Sequence, residues 1–271
     1  MPELPEVETV CRGIAPYVTG KVILELILRV PRLRLPLDPQ LCRTLPGQTV
    51  RHVYRRAKYL LLMIDQGSLI IHLGMSGILR IVPAGSTEHK HDHVDLIFTD
   101  GNCLRFTDPR RFGTFIFSGT DPLRQPLLAD LGPEPLDHDF QGELLYQRSR
   151  DRKQAVKGFI MDQKTVVGVG NIYANEALFR AGIHPARPAG RISRKRYERL
   201  AGAIKEVLAE AIAAGGTTIS DFADSAGRPG YFRQELQVYG RGLQPCCLCG
   251  RPVRTARLGQ RSTFFCSFCQ R

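Results

Sequence analysis

Residues 58–73 read KYLLLMIDQGSLIIHL, two short apolar runs separated by Asp65 and Gly67. Each run is too short for a typical helix, and the polar break between them marks a turn, so the stretch reads as two neighbouring strands. Lys21–Val30, His93–Thr99 and Thr114–Phe117 repeat the pattern on either side, and Asp100-Gly101 is a tight-turn signal. Several short strands with no long helix between them predict an antiparallel sandwich or barrel over about residues 20–120. One helix precedes it. Val7, Val10, Cys11, Ile14 and Val18 recur at helical spacing, with Pro5 in the first turn and Glu6 and Glu8 at the positive helix end.

Beyond the strands, residues 121–140 are rich in Pro, Gly and Asp and read as a linker. Helical patterning follows at 141–163 and 171–181, then on one face through Tyr197, Leu200, Ala201, Ile204, Val207, Leu208 and Ile212, stopping at Gly215-Gly216. The polar stretch Thr217–Gly230 is too long for a simple connector and has the character of a functional loop. The predicted layout is an α+β multidomain chain: 1–130, 131–236 and a small basic tail at 237–271.

Composition narrows the function classes. The chain has 271 residues, 43% of them hydrophobic, so a sizeable core is available without disulfides. It contains no apolar run long enough to span a membrane, and the opening Met1–Glu6 lacks the charge and apolar stretch of a secretory signal. A cytoplasmic, nucleoid-associated monomer is expected. The formal charge of +12 favours a polyanionic partner, although charge alone is read equally well as a solvated basic surface. From Arg228 onward there are eight arginines against a single acid, Glu235, so the tail concentrates that charge.

The same tail carries Cys246-x2-Cys249-x16-Cys266-x2-Cys269. Two such knuckles at this spacing place four thiolates around a tetrahedral zinc ion. Four protein ligands close the coordination sphere, so the zinc is structural. Paired disulfides are the alternative, and nothing suggests export. Arg254, Arg257, Arg261 and Phe264 between the knuckles fit a small hairpin. Cys247 reads as a bystander, and Cys11, Cys42 and Cys103 as core residues.

Six further stretches carry a family likeness: Met1–Thr9 (MPELPEVET), Arg55–Tyr59, His72–Gly77, Thr107–Gly113, Val169–Ala174 and Gly215–Thr218. In this order, and with the four-cysteine finger, the chain resembles bacterial formamidopyrimidine-DNA glycosylase, an 8-oxoguanine glycosylase with AP-lyase activity. The resemblance implies an N-terminal β-sandwich, a helix–two-turns–helix domain and a zinc finger. Its implied partner is duplex DNA with oxidised purines or abasic sites.

What the likeness implies for single residues has a chemical basis. Excision needs a nucleophile at the sugar C1′, and an α-amine of pKa about 7.7–8.0 is far more often neutral than a lysine near 10.4. Proline is a secondary amine, so its adduct is an iminium whose fixed charge acidifies C2′–H for elimination. Pro2 alone would read as a helix starter; the nine-residue match makes it the nucleophile, active once Met1 is removed. Glu3 resembles the general acid, which would need a raised pKa from burial or from Glu6, a supporting carboxylate. Lys58 resembles the lysine that contacts phosphate and donates a proton during β-elimination. Arg261 resembles the finger arginine that clamps phosphates and assists δ-elimination.

The implied DNA contacts are His91, Arg110, Arg152, Lys157, Asn171 and Tyr239, with Asn171 at a helix start whose N–H groups and dipole suit a phosphate. Met75, Arg110 and Phe112 match the residues that fill the void left by an extruded nucleotide. The 217–231 stretch matches the loop that closes on the base. Two alternatives remain open here. Endonuclease-VIII-like enzymes prefer oxidised pyrimidines but usually carry Gly at position 4, where this chain has Leu4. A non-catalytic zinc-ribbon DNA-binding protein would explain the charge and the finger, yet leaves Pro2, Glu3 and Lys58 without a purpose.

Overall fold

The computed structural model describes residues 1–215 and 236–271. The expected base-closing loop at 217–231 therefore lies outside the described residues. Two compact units are present, Met1–Ala129 and Asp130–Ala214 with the C-terminal segment.

The first unit opens with α1 (Leu4–Val18), then β1 (Ile23–Leu28), a short α2 (Leu41–Thr44), β2 (Val50–Arg56), β3 (Tyr59–Ile64) and β4 (Gly67–His72). It continues with β5 (Ile78–Pro83), β6 (Asp92–Phe98), β7 (Asn102–Thr107) and β8 (Thr114–Ser118), and ends at the short α3 (Pro126–Ala129). The strands form two antiparallel four-stranded sheets, ordered β2-β3-β4-β8 and β1-β6-β7-β5. The stretch 58–73 becomes the β3–β4 hairpin, with Leu60 opposite Ile71 and Leu62 opposite Leu69. Those four face a core shared with Leu96, Phe98, Leu104 and Phe106 of the other sheet and with Val7, Val10 and Ile14 of α1. Leu61 and Ile70 are fully buried on the opposite face, which is why the run is continuously apolar rather than alternating.

Three strands lie outside the apolar runs that the sequence offered. β2 reads VRHVYRR, and β5 and β7 carry Arg80 and Arg105 in their centres. Both arginines point away from the core, where Asp92 and Asp95 of β6 receive them. A charge that finds its partner across the sheet looks polar when only its own strand is read.

The second unit contains α4 (Gly142–Ser149), α5 (Val156–Met161), α6 (Asn171–Arg180) and α7 (Arg194–Ala213), followed by the hairpin β9 (Arg254–Leu258) and β10 (Arg261–Phe265). The helical pattern expected over 141–163 is interrupted. The Ser149 hydroxyl and Arg150 Nε both donate to the Tyr146 carbonyl and close α4 early, and Asp151 takes a left-handed φ of 61°. Gly142 lets α4 approach α7, since a Cβ there would sit 2.3 Å from the Glu198 Cα. The other two helices stop as read, at Gly182 (φ 67°) and Gly215 (φ 78°). The finger shares a core with α6, built from Phe179, Val238, Val253, Cys246 and Cys266.

Candidate active site and nucleic-acid interface

In the first unit the chemistry begins at the mouth of α1. Pro2 is buried, and Glu3 and Glu6 expose only 3% and 1% of their surface. Glu3 is the N-cap residue. Its N–H donates to Glu6 Oε2 at 2.7 Å while its own carboxylate accepts from the Glu6 N–H, a reciprocal capping box that fixes both carboxylates beside Pro2. Lys58, also buried, lies in the two-residue turn between β2 and β3, next to Ala57 at φ 54°. Arg55 secures that turn, donating to the Ala57 carbonyl at 2.9 Å and to Glu8 of α1 at 2.8 Å.

His72, at the end of β4, is a residue to which the sequence motifs assign no role. Its ring lies 4.8 Å from that of Tyr59, and its Nδ1 accepts the Gly74 N–H at 2.9 Å. Burial, reinforced by Lys58 and Arg34, lowers its pKa from 6.5 to about 4, so it is a neutral acceptor at physiological pH. The unfolded chain takes up a proton near pH 6.5 that the folded chain resists until about 4, so stability is lost as pH falls across that window. Thermal unfolding followed from pH 7 to 4 should show the decline, and His72→Gln should flatten it; identical slopes would refute this assignment.

The segments 73–77 and 108–113 pack together because glycines permit it. A Cβ on Gly74 (φ 64°) would lie 2.5 Å from the Phe112 carbonyl carbon and 2.6 Å from the Gly113 nitrogen. Asp108, fully buried, ties the two loops by accepting from the Ser76 hydroxyl at 2.7 Å and the Gly113 N–H at 2.8 Å. Met75 and Phe112 remain exposed at 39% and 44%, unusual for large apolar groups, and the Arg110 guanidinium stands 4.7 Å from the Phe112 ring centre. Gly74→Ala adds left-handed strain to a backbone clash, so it is expected to destabilise by about 3 kcal/mol or more. Denaturant unfolding measures this, and a shift under about 0.5 kcal/mol, the size of an ordinary surface substitution, would contradict it. His91 lies half-buried just before β6, its carbonyl accepting the Asp108 N–H at 3.0 Å.

In the second unit, Asn171 begins α6 behind an extended Gly170. Its amide oxygen is buried and has no hydrogen-bond partner among the described residues. Arg152 is exposed in the break between α4 and α5, beside a cleft lined also by Arg150, Lys153 and Arg191. Arg261 is exposed at the start of β10, just past the Gly259-Gln260 turn at the hairpin tip. Lys157, matched by likeness to a DNA contact, is placed inside the second unit. It is 2% exposed, and its ammonium donates to the Ser262 carbonyl at 2.9 Å and the Thr263 hydroxyl at 2.8 Å, fastening α5 to the finger. Tyr239 stacks edge-on to Phe264 at 5.2 Å. Its N–H, with those of Gln237 and Val238, is received by the Glu176 carboxylate. Sequence reasoning missed Glu176; the available signal was that it is the lone acid of α6.

Cys246, Cys249, Cys266 and Cys269 bring their sulfurs within 4.8 Å of one another, with pairs at 3.5 and 3.9 Å. A tetrahedral ion with ligands at about 2.3 Å needs sulfurs near 3.8 Å apart, whereas a disulfide needs about 2.05 Å. The cluster therefore suits a metal ion. Cys247 is exposed and stands outside it.

Residues 1–115 match the formamidopyrimidine-DNA glycosylase N-terminal domain, and 131–223 the formamidopyrimidine-DNA glycosylase H2TH domain. The chain belongs to the formamidopyrimidine-DNA glycosylase family. Curated family relatives from Methylococcus capsulatus and Syntrophotalea carbinolica, both called formamidopyrimidine-DNA glycosylase, are each 58% identical over the full length of both chains. Among solved family structures, Lactococcus lactis Fpg in complex with abasic-site DNA superposes with a TM-score of 0.91 at 35% identity, covering 99% of each chain. The MutM (Fpg) protein of Thermus thermophilus gives 0.87 at 39%, covering 99% of this chain and 98% of that one. Among the described residues, no helix is long and apolar enough to cross a membrane.

Proposed function

We propose that this base excision repair glycosylase removes oxidised purines, 8-oxoguanine and formamidopyrimidines, from duplex DNA and then nicks the abasic strand. The observation that carries the mechanism is the buried N-terminal cluster, where Pro2 adjoins two carboxylates locked by a reciprocal capping box. With Met1 removed, the neutral Pro2 nitrogen attacks C1′ and the glycosidic bond breaks. Glu3 supplies the proton taken by the sugar ring oxygen or the departing base. The resulting iminium carries a fixed positive charge, so C2′–H is lost and the 3′ phosphate leaves, with Lys58 donating a proton. The 5′ phosphate leaves in the second elimination, where Arg261 acts as an electrostatic clamp, because a guanidinium scarcely ionises.

The DNA backbone is held by His91, Arg110, Arg152, Asn171 and Tyr239, and Met75, Arg110 and Phe112 enter the gap left by the extruded nucleotide. Lys157 serves this interface through the finger it fastens, in keeping with its buried bonds to Ser262 and Thr263. The metal is zinc, held by Cys246, Cys249, Cys266 and Cys269 as a structural ion. A zinc-ribbon protein without catalysis would give no role to the buried Pro2-Glu3 start.

Cleavage of matched duplexes carrying 8-oxoguanine or thymine glycol tests the substrate. The purine lesion should be cut with kcat/KM at least about tenfold higher, equal to 1.4 kcal/mol in transition-state binding. The reverse order would transfer the chain to oxidised pyrimidines.

A further inference from the structure

The outer face of the β1-β6-β7-β5 sheet carries an unbroken chain of alternating charges. Arg29 donates to Asp95 at 2.7 Å, and Arg105 grips the same carboxylate through Nε at 2.9 Å and Nη2 at 2.8 Å. Arg105 Nη1 lies 3.5 Å from Asp92, which also receives Arg80 at 3.2 Å and the Thr107 hydroxyl. Asp92, Asp95 and Arg105 are 2–3% exposed. A buried ion network of this kind adds little net stability over well-packed apolar residues, because desolvation offsets the attraction. Its geometry indicates another duty.

Arg105 has donors left after gripping Asp95, and they go to one place. Nη1 reaches the Thr87 carbonyl and Nη2 the Ser86 carbonyl, both at 3.0 Å. Asp92 takes the His89 N–H at 2.8 Å. The segment 84–91 is thus pinned to the sheet at three points by side chains of the ion network. It has little apolar anchorage of its own, since every residue from Ala84 to Lys90 except Ser86 is exposed. His91 closes this segment, and its carbonyl joins the 108–113 loop of Arg110 and Phe112 through the Asp108 N–H.

We propose that Arg105 is a positioning residue for DNA binding, holding the 84–91 segment so that His91 meets the phosphate backbone. This rests on the reading of His91 as a DNA contact. Only a guanidinium fork satisfies one carboxylate and two carbonyls together; a lysine can keep the ion pair but not the fork.

Arg105→Lys in the full chain should weaken binding of a duplex carrying a tetrahydrofuran abasic analogue by about tenfold, the size of one lost hydrogen bond to a charged group. Single-turnover nicking at saturating abasic duplex should stay within about twofold, because the groups at the reacting sugar are untouched. Amides of 84–91 should exchange faster while β6 and β7 stay protected. A glycine inserted between Ser86 and Thr87 shifts the carbonyls without altering the sheet and should weaken binding equally. In combination with His91→Ala, Arg105→Lys should be non-additive. Additive losses, or unchanged affinity in Arg105→Lys and the insertion while His91→Ala binds poorly, would overturn the inference. If His91→Ala itself binds as wild type, the His91 reading falls first and this route with it.

Discussion

Borohydride added to a mixture of the Met1-processed protein and abasic duplex is expected to yield one covalent protein–DNA adduct, with the sugar fragment on the Pro2 nitrogen. The same chain retaining Met1 should give none, because an acylated proline nitrogen is an amide with no usable lone pair. Pro2→Ala keeps an α-amine of similar pKa but makes it primary, so its adduct is an imine that can shed its proton and charge. Excision and nicking should fall by at least about a hundredfold, close to 3 kcal/mol of transition-state stabilisation. The capping box of Glu3 and Glu6 does not involve the Pro2 nitrogen, so the start of α1 should be retained. Peptide mass spectrometry of the reduced adduct decides the matter. A sugar fragment located on Lys58 or another internal side chain would end the proposal of an N-terminal nucleophile, and undiminished excision and nicking by Pro2→Ala would end the requirement for a secondary amine.

Removal of the metal should have an effect of similar size through a different route. The finger shares its small core with α6, and Cys246 and Cys266 are themselves part of that core. Structural zinc sites in small domains contribute an apparent binding free energy of about 10–16 kcal/mol at neutral pH, more than a hairpin of this size can replace. A chromophoric chelator should release one zinc per chain. Cys266→Ser should leave the hairpin amides of β9 and β10 rapidly exchanging and weaken duplex binding by about a hundredfold or more, as Arg261 loses its fixed place. Because the proposed ligands are thiolates, zinc should also be lost as pH falls. Metal-free protein with protected hairpin amides and unchanged affinity would show that the cysteines do not hold a structural ion.

The sequence alone determined whatever depends on near neighbours. The β3–β4 hairpin, the apolar face of α1, the stops at Gly182 and Gly215 and the CxxC knuckles are local patterns, since backbone geometry and ligand spacing act over a few residues. The motifs from Met1–Thr9 to the finger placed the chain in its family for the same reason. What only the tertiary structure decided are pairings between distant positions. Arg105 and Arg80 look like interruptions of strands until Asp92 and Asp95 appear opposite them. Glu176 meets backbone 61–63 residues away, and Lys157 meets Thr263 across 106. A buried polar group is satisfied by whichever partner the fold delivers, and sequence spacing does not carry that information.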